Sequence, residues 1–416
     1  MLPGRFPALS NRNFRIFWFG QFVSLIGTWM QTTVQPYLAY RITDQPIYLG
    51  WVGFASALPA FFITLPGGVF VERIDKRKAV ILMQTIMMGQ AFILAFLTLT
   101  GQVTIWHIII LAAVSGMANA FELTARQAMI VELVGKDALP NAIALNSAIF
   151  NAARVVGPSL TAPFFLLLGE SGEGWAFFAN GVSYLFVIFS LMMIRTDPLL
   201  NTSTQAESMS FAGLVAGQRY VRQTPVIFLL IIMASIPSLF GFPFNQQIPV
   251  FARDVFHLVG DTESAVAARN SMMVTFQGLG ALIAAIFLAA FSTIRKKGRL
   301  LIAGQLAFAL GLIGISRVPI FQASLPMMIL IGWGTVTQLA STNTIIQLTA
   351  PDHLRSRVLS TYLWSVNGLA PFGSLCLGWL VQTLGAQTAV MLGGTICLVG
   401  YAYVHLRRPM IRNLVI

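Results

Sequence analysis

The chain has 416 residues, 56% of them hydrophobic and only 10% charged, with a formal net charge of +12 and a mean hydropathy of +0.76. Soluble domains hold about 25% charged residues, so this composition excludes most soluble enzymes as a class. The basic residues flank apolar runs instead of forming one stripe, which argues against a nucleic-acid partner.

Apolar runs long enough to cross a bilayer begin at Phe14 and follow one another to Leu406. In hydrocarbon every backbone N–H and C=O must be satisfied internally, so these runs take helical form. About 20 apolar residues cross a ~30 Å core. The pattern predicts twelve spans at 14–40, 48–71, 79–100, 104–130, 141–168, 175–194, 225–251, 264–291, 300–316, 325–346, 358–383 and 387–406. The first run follows basic residues, but it is too long for a signal peptide and lacks a small-residue cleavage site. It reads as a retained span. Trp51, Trp106 and Trp175 fall at span ends, where interface anchors belong. Cys376 and Cys397 lie in apolar runs and form no metal motif, so they read as inert thiols.

Charge orients the threading. Of the 26 Lys and Arg residues, 21 fall on one side, four (Arg41, Arg253, Arg269 and Arg317) on the other, and Arg154 lies inside a span. The rich side is cytoplasmic by the positive-inside bias, and an even number of crossings puts both termini there. The least apolar segment divides the chain near its midpoint. It gives an N-terminal six-span bundle at 1–196, a cytoplasmic linker at 197–223 and a C-terminal bundle at 224–416. Gln218–Arg222 in the linker reads as part of a short amphipathic surface helix.

The halves resemble each other. Shifted by about 215 positions, Glu132–Leu139 falls on Gln347–Leu354, and each segment joins the fourth and fifth spans of its half. Parallel repeats about an axis along the membrane normal are a transporter architecture, with the site near the midplane.

Polar side chains concentrate in particular spans. Gln31 and Gln35 stand in span 1, Asn119 and Glu122 in span 4, Asn151 and Arg154 in span 5, Asn245 and Gln246 in span 7, Gln277 in span 8, Gln338 in span 10 and Asn367 in span 11. Such groups avoid lipid. Either they hydrogen-bond between helices or they line a cavity. Span 7 carries Pro237, Gly241, Pro243 and Pro249, which predict a broken helix serving as a hinge, a gate or a static kink. Glu122 and Arg154 sit at similar depths on neighbouring antiparallel spans, which predicts that they face each other, with Arg126 one turn from Glu122. Two roles are open: Glu122 carries a coupling proton, or the group pins spans 4 and 5. One negative charge against two positive leaves a surplus that would suit an anionic substrate group.

The stretch between spans 2 and 3, Gly67-Gly-Val-Phe-Val-Glu-Arg-Ile-Asp-Lys-Arg-Lys78, resembles the major facilitator superfamily signature G-x-x-x-D-R-x-G-R-R. Gly68 takes the opening glycine, Glu72 the acid, Arg73 the arginine, and Lys76 and Arg77 the basic pair. Asp75 departs from the pattern at the second glycine. ALSNRNFRIFWFGQFVSLIGTWMQ, ANAFELTARQAMIVELV, LPNAIALNSAIFNAARVVGPSL and IPVFARDVF resemble the enterobactin-exporter-like branch, whose members are called transmembrane secretion effectors.

That resemblance implies an all-α integral membrane fold, with twelve transmembrane helices in two pseudo-symmetric six-helix bundles. It also implies a monomer in the inner membrane that exports an amphipathic, siderophore- or drug-like molecule by alternating access, with proton antiport as its coupling. It implies that Glu72 contacts the start of span 11, near Arg357 to Ser360, and that Arg73 or Arg77 pairs with Glu132 as a conformational latch. Gly157-Pro158 in span 5 is similar to part of the antiporter signature, without its flanking glycines. Lipid transport, uptake, or a non-transporting sensor or scaffold are the competing readings. The sequence shows no nucleophile–base pair, metal cluster or phosphate loop, so neither enzyme chemistry, a cofactor nor ATP drive is expected.

Overall fold

The computed structural model describes residues 7–63, 74–194, 211–290, 297–351 and 354–407. The described residues are helices joined by short turns. Nine of these helical segments are long and apolar enough to cross a membrane, and one of them, Asp137–Met193, runs 57 residues. It holds predicted spans 5 and 6, separated by the 3-10 turn Gly169–Ser171. Two further helices, Arg12–Thr43 and Arg355–Leu384, are 32 and 30 residues long. They fall outside that group on composition, because both carry arginines and repeated polar residues. They correspond to predicted spans 1 and 11, which brings the crossings to twelve.

Local chemistry sets several boundaries. Asp75 caps span 3 (Lys76–Leu99), accepting the Lys78 N–H at 3.1 Å. The residue that departs from the signature therefore starts a helix. Thr104 and His107 form a reciprocal capping box at the start of span 4, so His107 has a local structural partner. Spans 4 and 5 lie in one helical run, Ile105–Leu168, broken at Gly135, whose φ of 71° is readily adopted only by glycine. Span 7 is interrupted, as its prolines predict. Pro225–Phe240 ends in a turn at 241–243, Phe244–Val250 resumes, and a π-helical turn, Phe251–Val255, closes it. The linker contains a 13-residue helix, Phe211–Gln223, while the rest of it, 197–210, lies outside the described residues.

The chain divides into two compact units, Met1–Gln35 with Pro59–Met209, and Pro36–Leu58 with Ser210–Ile416. The expected division kept 36–58 with the first half. This hairpin of spans 1 and 2 groups with the second unit because it packs there. Gly50 meets Gly378 so closely that a Cβ on Gly378 would stand 3.0 Å from the Gly50 Cα, and Phe54 lies edge-on to Phe372. Both cuts fall at prolines inside helices, Pro36 and Pro59.

In the first unit, Phe14, Phe17, Val80, Ala125, Met129, Val187 and Leu191 form a core joining spans 1, 3, 4 and 6. Leu25, Ile149 and Ala153 join spans 1 and 5. In the second unit, spans 8 and 9 both pack on span 10, and span 12 packs on span 9. Phe62, Phe96, Leu167 and Val399 point outward. Such helices bury one face in protein and offer an apolar face to hydrocarbon. Cys397 is buried and Cys376 half-buried, and both are free thiols.

Candidate functional site

Span 4 places Glu122 and Arg126 one turn apart, so a helical backbone alone brings them together. Arg126 Nε lies 3.0 Å from Glu122 Oε1, and the two residues are 6% and 2% exposed. Gln84 of span 3 donates to the same carboxylate at 3.1 Å. The guanidinium reaches across to span 5 and donates to Asn146 Oδ1 at 3.2 Å. A buried carboxylate and a buried guanidinium thus compensate each other and tie three spans. Gln84 Oε1 is buried with no hydrogen-bond partner.

The expected Glu122–Arg154 pair does not form. Arg154 instead places its guanidinium carbon 5.4 Å from the centre of the Trp29 ring on span 1. Equal depth on neighbouring spans left the rotation of span 5 open. That rotation is set by Gly157, where an added Cβ would lie 2.6 Å from Trp29 Cβ and 2.7 Å from the Ile26 carbonyl oxygen. Close contact at Gly157 turns Arg154 toward span 1. Phe150 meets the indole edge-on at 5.5 Å and fixes it. Pro158, next to Gly157, is buried inside the helix.

Several other predicted cavity residues are occupied by neighbours. Gln31 donates to Gln35 at 3.0 Å and to Gln90 at 3.3 Å, and it accepts from Gln90 at 3.2 Å and from Asn180 at 2.6 Å. It is therefore a junction between spans 1, 3 and 6. Asn151 donates to the Ser147 carbonyl in its own helix. In the second unit Gln277 donates to Asn245 at 2.6 Å, and Gln338 accepts from Tyr401 at 2.9 Å. Gln246 is half-buried and its Oε1 lacks a partner. Asn119 and Asn367 are exposed. An exposed mid-span amide needs water or ligand against it, since hydrocarbon leaves it unsatisfied.

Among the described residues Glu132 pairs with Lys76, at 2.6 Å. Arg77 donates to the carbonyls of Leu191 and Met192, at 2.6 and 2.9 Å, and so caps the end of span 6. Lys76 is the first residue of its helix and Arg77 follows it, about 100° further round. The two side chains therefore serve different neighbours. Gly68, Glu72 and Arg73 lie outside the described residues, as does the expected contact of Glu72 with span 11.

Sequence reasoning missed a polar cluster at one end of the second unit. Tyr40 donates to Asp254, and Tyr37 donates to Glu263 at 3.0 Å. Arg253 lies 3.6 Å from Asp44 and 3.1 Å from Glu263. Arg269 makes a fork to Asp261 at 2.8 and 2.9 Å and donates to the Ala252 carbonyl at 2.8 Å. These hydrogen bonds hold the Asp261 carboxyl below the usual carboxylate range. The π-helical turn leaves its first carbonyls without regular α-helical partners, and Arg269 satisfies one of them. The signal available in sequence was the run of acids and arginines between Arg253 and Arg269.

Comparison with known proteins gives the geometry its context. The chain is 22% identical to the multidrug efflux pump Tap of Mycolicibacterium fortuitum, covering 91% of each. It is 23% identical to the staphyloferrin A transporter of Staphylococcus aureus, covering 92% of this chain and 94% of that one. It is 22% identical to the enterobactin exporter EntS of Escherichia coli, covering 88% and 85%. Among solved structures, a variant of the nucleoside transporter NupG aligns with a TM-score of 0.75 at 14% identity, covering 96% and 99%. The D-xylose-proton symporter aligns with a TM-score of 0.71 at 12% identity, covering 93% and 97%. These two likenesses show the major facilitator fold. The model of the transmembrane secretion effector family matches residues 4–413, and the chain belongs to that family of multi-pass membrane proteins.

Proposed function

We propose that this protein is a secondary exporter of an amphipathic small molecule in the cell membrane, working by alternating access and coupled to protons. The observation that carries the coupling is Glu122. It is a carboxylate only 2% exposed in the middle of a span, held by one arginine and one amide. Intramembrane ionisable groups are costly and mark ion or substrate pathways. When a proton neutralises Glu122, Arg126 loses its counter-charge but keeps Asn146 as an acceptor. The bond between spans 4 and 5 then outlasts the bond within span 4. The relatives named for drug efflux and enterobactin export support the outward direction.

The charge asymmetry supports cytoplasmic termini. In that orientation Lys76–Glu132 is a cytoplasmic tie, and the Tyr40–Asp254 and Arg253–Glu263 contacts form an outer one. The protein works as a monomer with lipid, substrate and protons as its partners and no nucleic acid. The reading is tested in proteoliposomes with an imposed pH gradient, screened with siderophores and cationic drugs. Accumulation that collapses with a protonophore is expected, and Glu122→Gln transports without responding to the gradient. Failure to accumulate any compound in the panel sinks the proposal, while a gradient response intact in Glu122→Gln removes Glu122 from the coupling.

A further inference from the structure

Glu122 and Arg126 stand one turn apart on span 4, and Arg154 stands in the middle of span 5. The first two close on each other and are neutral together. The surplus positive charge therefore belongs to Arg154 alone. Among the described residues no carboxylate and no hydrogen-bond acceptor reaches its guanidinium, and its one neighbour of note is the face of Trp29. Its position is about 20 Å of helix rise from each end of predicted span 5, midway along it. A guanidinium does not give up its proton under these conditions. The cost of keeping it charged at that depth has to be offset by something that is not part of the chain.

From this we infer that Arg154, backed by Trp29, is the counter-ion of an oxyanion on the transported molecule. The substrate is then an amphipathic anion, a carboxylate or catecholate joined to an apolar ring system, and not a lipophilic cation. The geometry suits that role. The guanidinium carbon lies over the indole and no acceptor among the described residues takes its N–H donors, while Phe150 and the close contact at Gly157 hold the indole still. Arg154 keeps part of its surface accessible although it is deep in the fold. A planar fork of N–H donors matches the two oxygens of a carboxylate or catecholate. Phe150, itself partly exposed beside Trp29, supplies an apolar surface for a ring. This assignment rests on the exporter reading for its meaning, but it is read out by binding.

The test uses two probes with one ring system, anthracene-9-carboxylate and 9-anthracenylmethylammonium, titrated against the full-length protein in nanodiscs and followed by tryptophan quenching and calorimetry. The carboxylate is expected to bind at least about 10-fold more tightly than the ammonium. A hydrogen bond to a charged group contributes about 1.5–3 kcal/mol, so Arg154→Gln should weaken the carboxylate about 10- to 100-fold. Arg154→Lys should keep it within about 10-fold, and Trp29→Leu should weaken it by a few fold. Thermal unfolding of each variant confirms that the fold is retained.

Equal binding of the two probes, no binding of the carboxylate, or full affinity in Arg154→Gln overturns the inference. So does displacement of the carboxylate by millimolar chloride or phosphate, which would make an inorganic anion the occupant. Transport separates the two readings. Gradient-driven accumulation of a cationic drug, equal in wild type and Arg154→Gln, leaves the exporter standing and sinks the anion site. Carboxylate binding that depends on Arg154, without transport of any compound, does the reverse.

Discussion

Removing Glu122 and removing Arg126 are not equivalent, although each breaks the same pair. Both side chains are almost fully buried, and breaking a buried ion pair by deleting one partner costs about 3–5 kcal/mol. In Glu122→Gln the residue left behind is a guanidinium, which stays charged at any usable pH. Its remaining polar partners are Asn146 and the new amide, so most of that cost stands, about 3 kcal/mol. In Arg126→Met the residue left behind is a carboxylate whose remaining partner is Gln84 alone, so its loss should lie toward the upper end of about 3–5 kcal/mol. The double variant removes both charges and should recover most of the loss, to within about 1 kcal/mol of wild type. The assay is thermal unfolding in dodecyl maltoside at neutral pH. The reasoning is refuted if either single variant melts with wild type, or if the double variant is no better than the worse single one.

Three further outcomes follow from the geometry. Glu132→Gln should cost no more than about 1 kcal/mol, and less in high salt, because Lys76 and Glu132 are both reached by solvent; unfolding at two ionic strengths checks it. Gly157→Ala should cost about 1–3 kcal/mol through overpacking on Ile26 and Trp29, and a changed tryptophan emission should accompany it. Asp261→Asn should cost about 1–2 kcal/mol through loss of the charge-assisted fork from Arg269. Because folding lowers the Asp261 pKa, its contribution is fully present above the unfolded value of ~3.9. That contribution is lost only as pH falls through the lower folded value. The difference between wild type and Asp261→Asn should therefore be flat from pH 8 to 5 and shrink below 4, as measured by thermal unfolding.

The crossings were legible in the sequence because hydrocarbon leaves a chain little choice. Long apolar runs and the proline cluster of span 7 each have one local consequence, and the structure shows it. Arg126 beside Glu122 was legible for the same reason, as one turn of helix imposes it. What the sequence could not supply was rotation about a helix axis. Arg154 was placed at the right depth but facing span 4, whereas the packing of Gly157 on Trp29 turns it to span 1. Lys76 and Arg77 were indistinguishable by composition, and their neighbours separate them. Gln31 looked like a cavity residue because a buried amide in a span has two fates, and only the positions of Gln90 and Asn180 decide between them. Tyr40 and Asp254 are 214 positions apart, and no periodicity connects them.

The amide of Gln84 has a further consequence. It presents an N–H to the ionised Glu122 while its own oxygen stands idle and enclosed. A half-turn of that amide would exchange the two atoms, offering a lone pair to the hydroxyl of an acid in place of a hydrogen to an anion. The carboxyl thus has a partner for each of its two forms within a single side chain, and neither span 3 nor span 4 needs to shift to provide it.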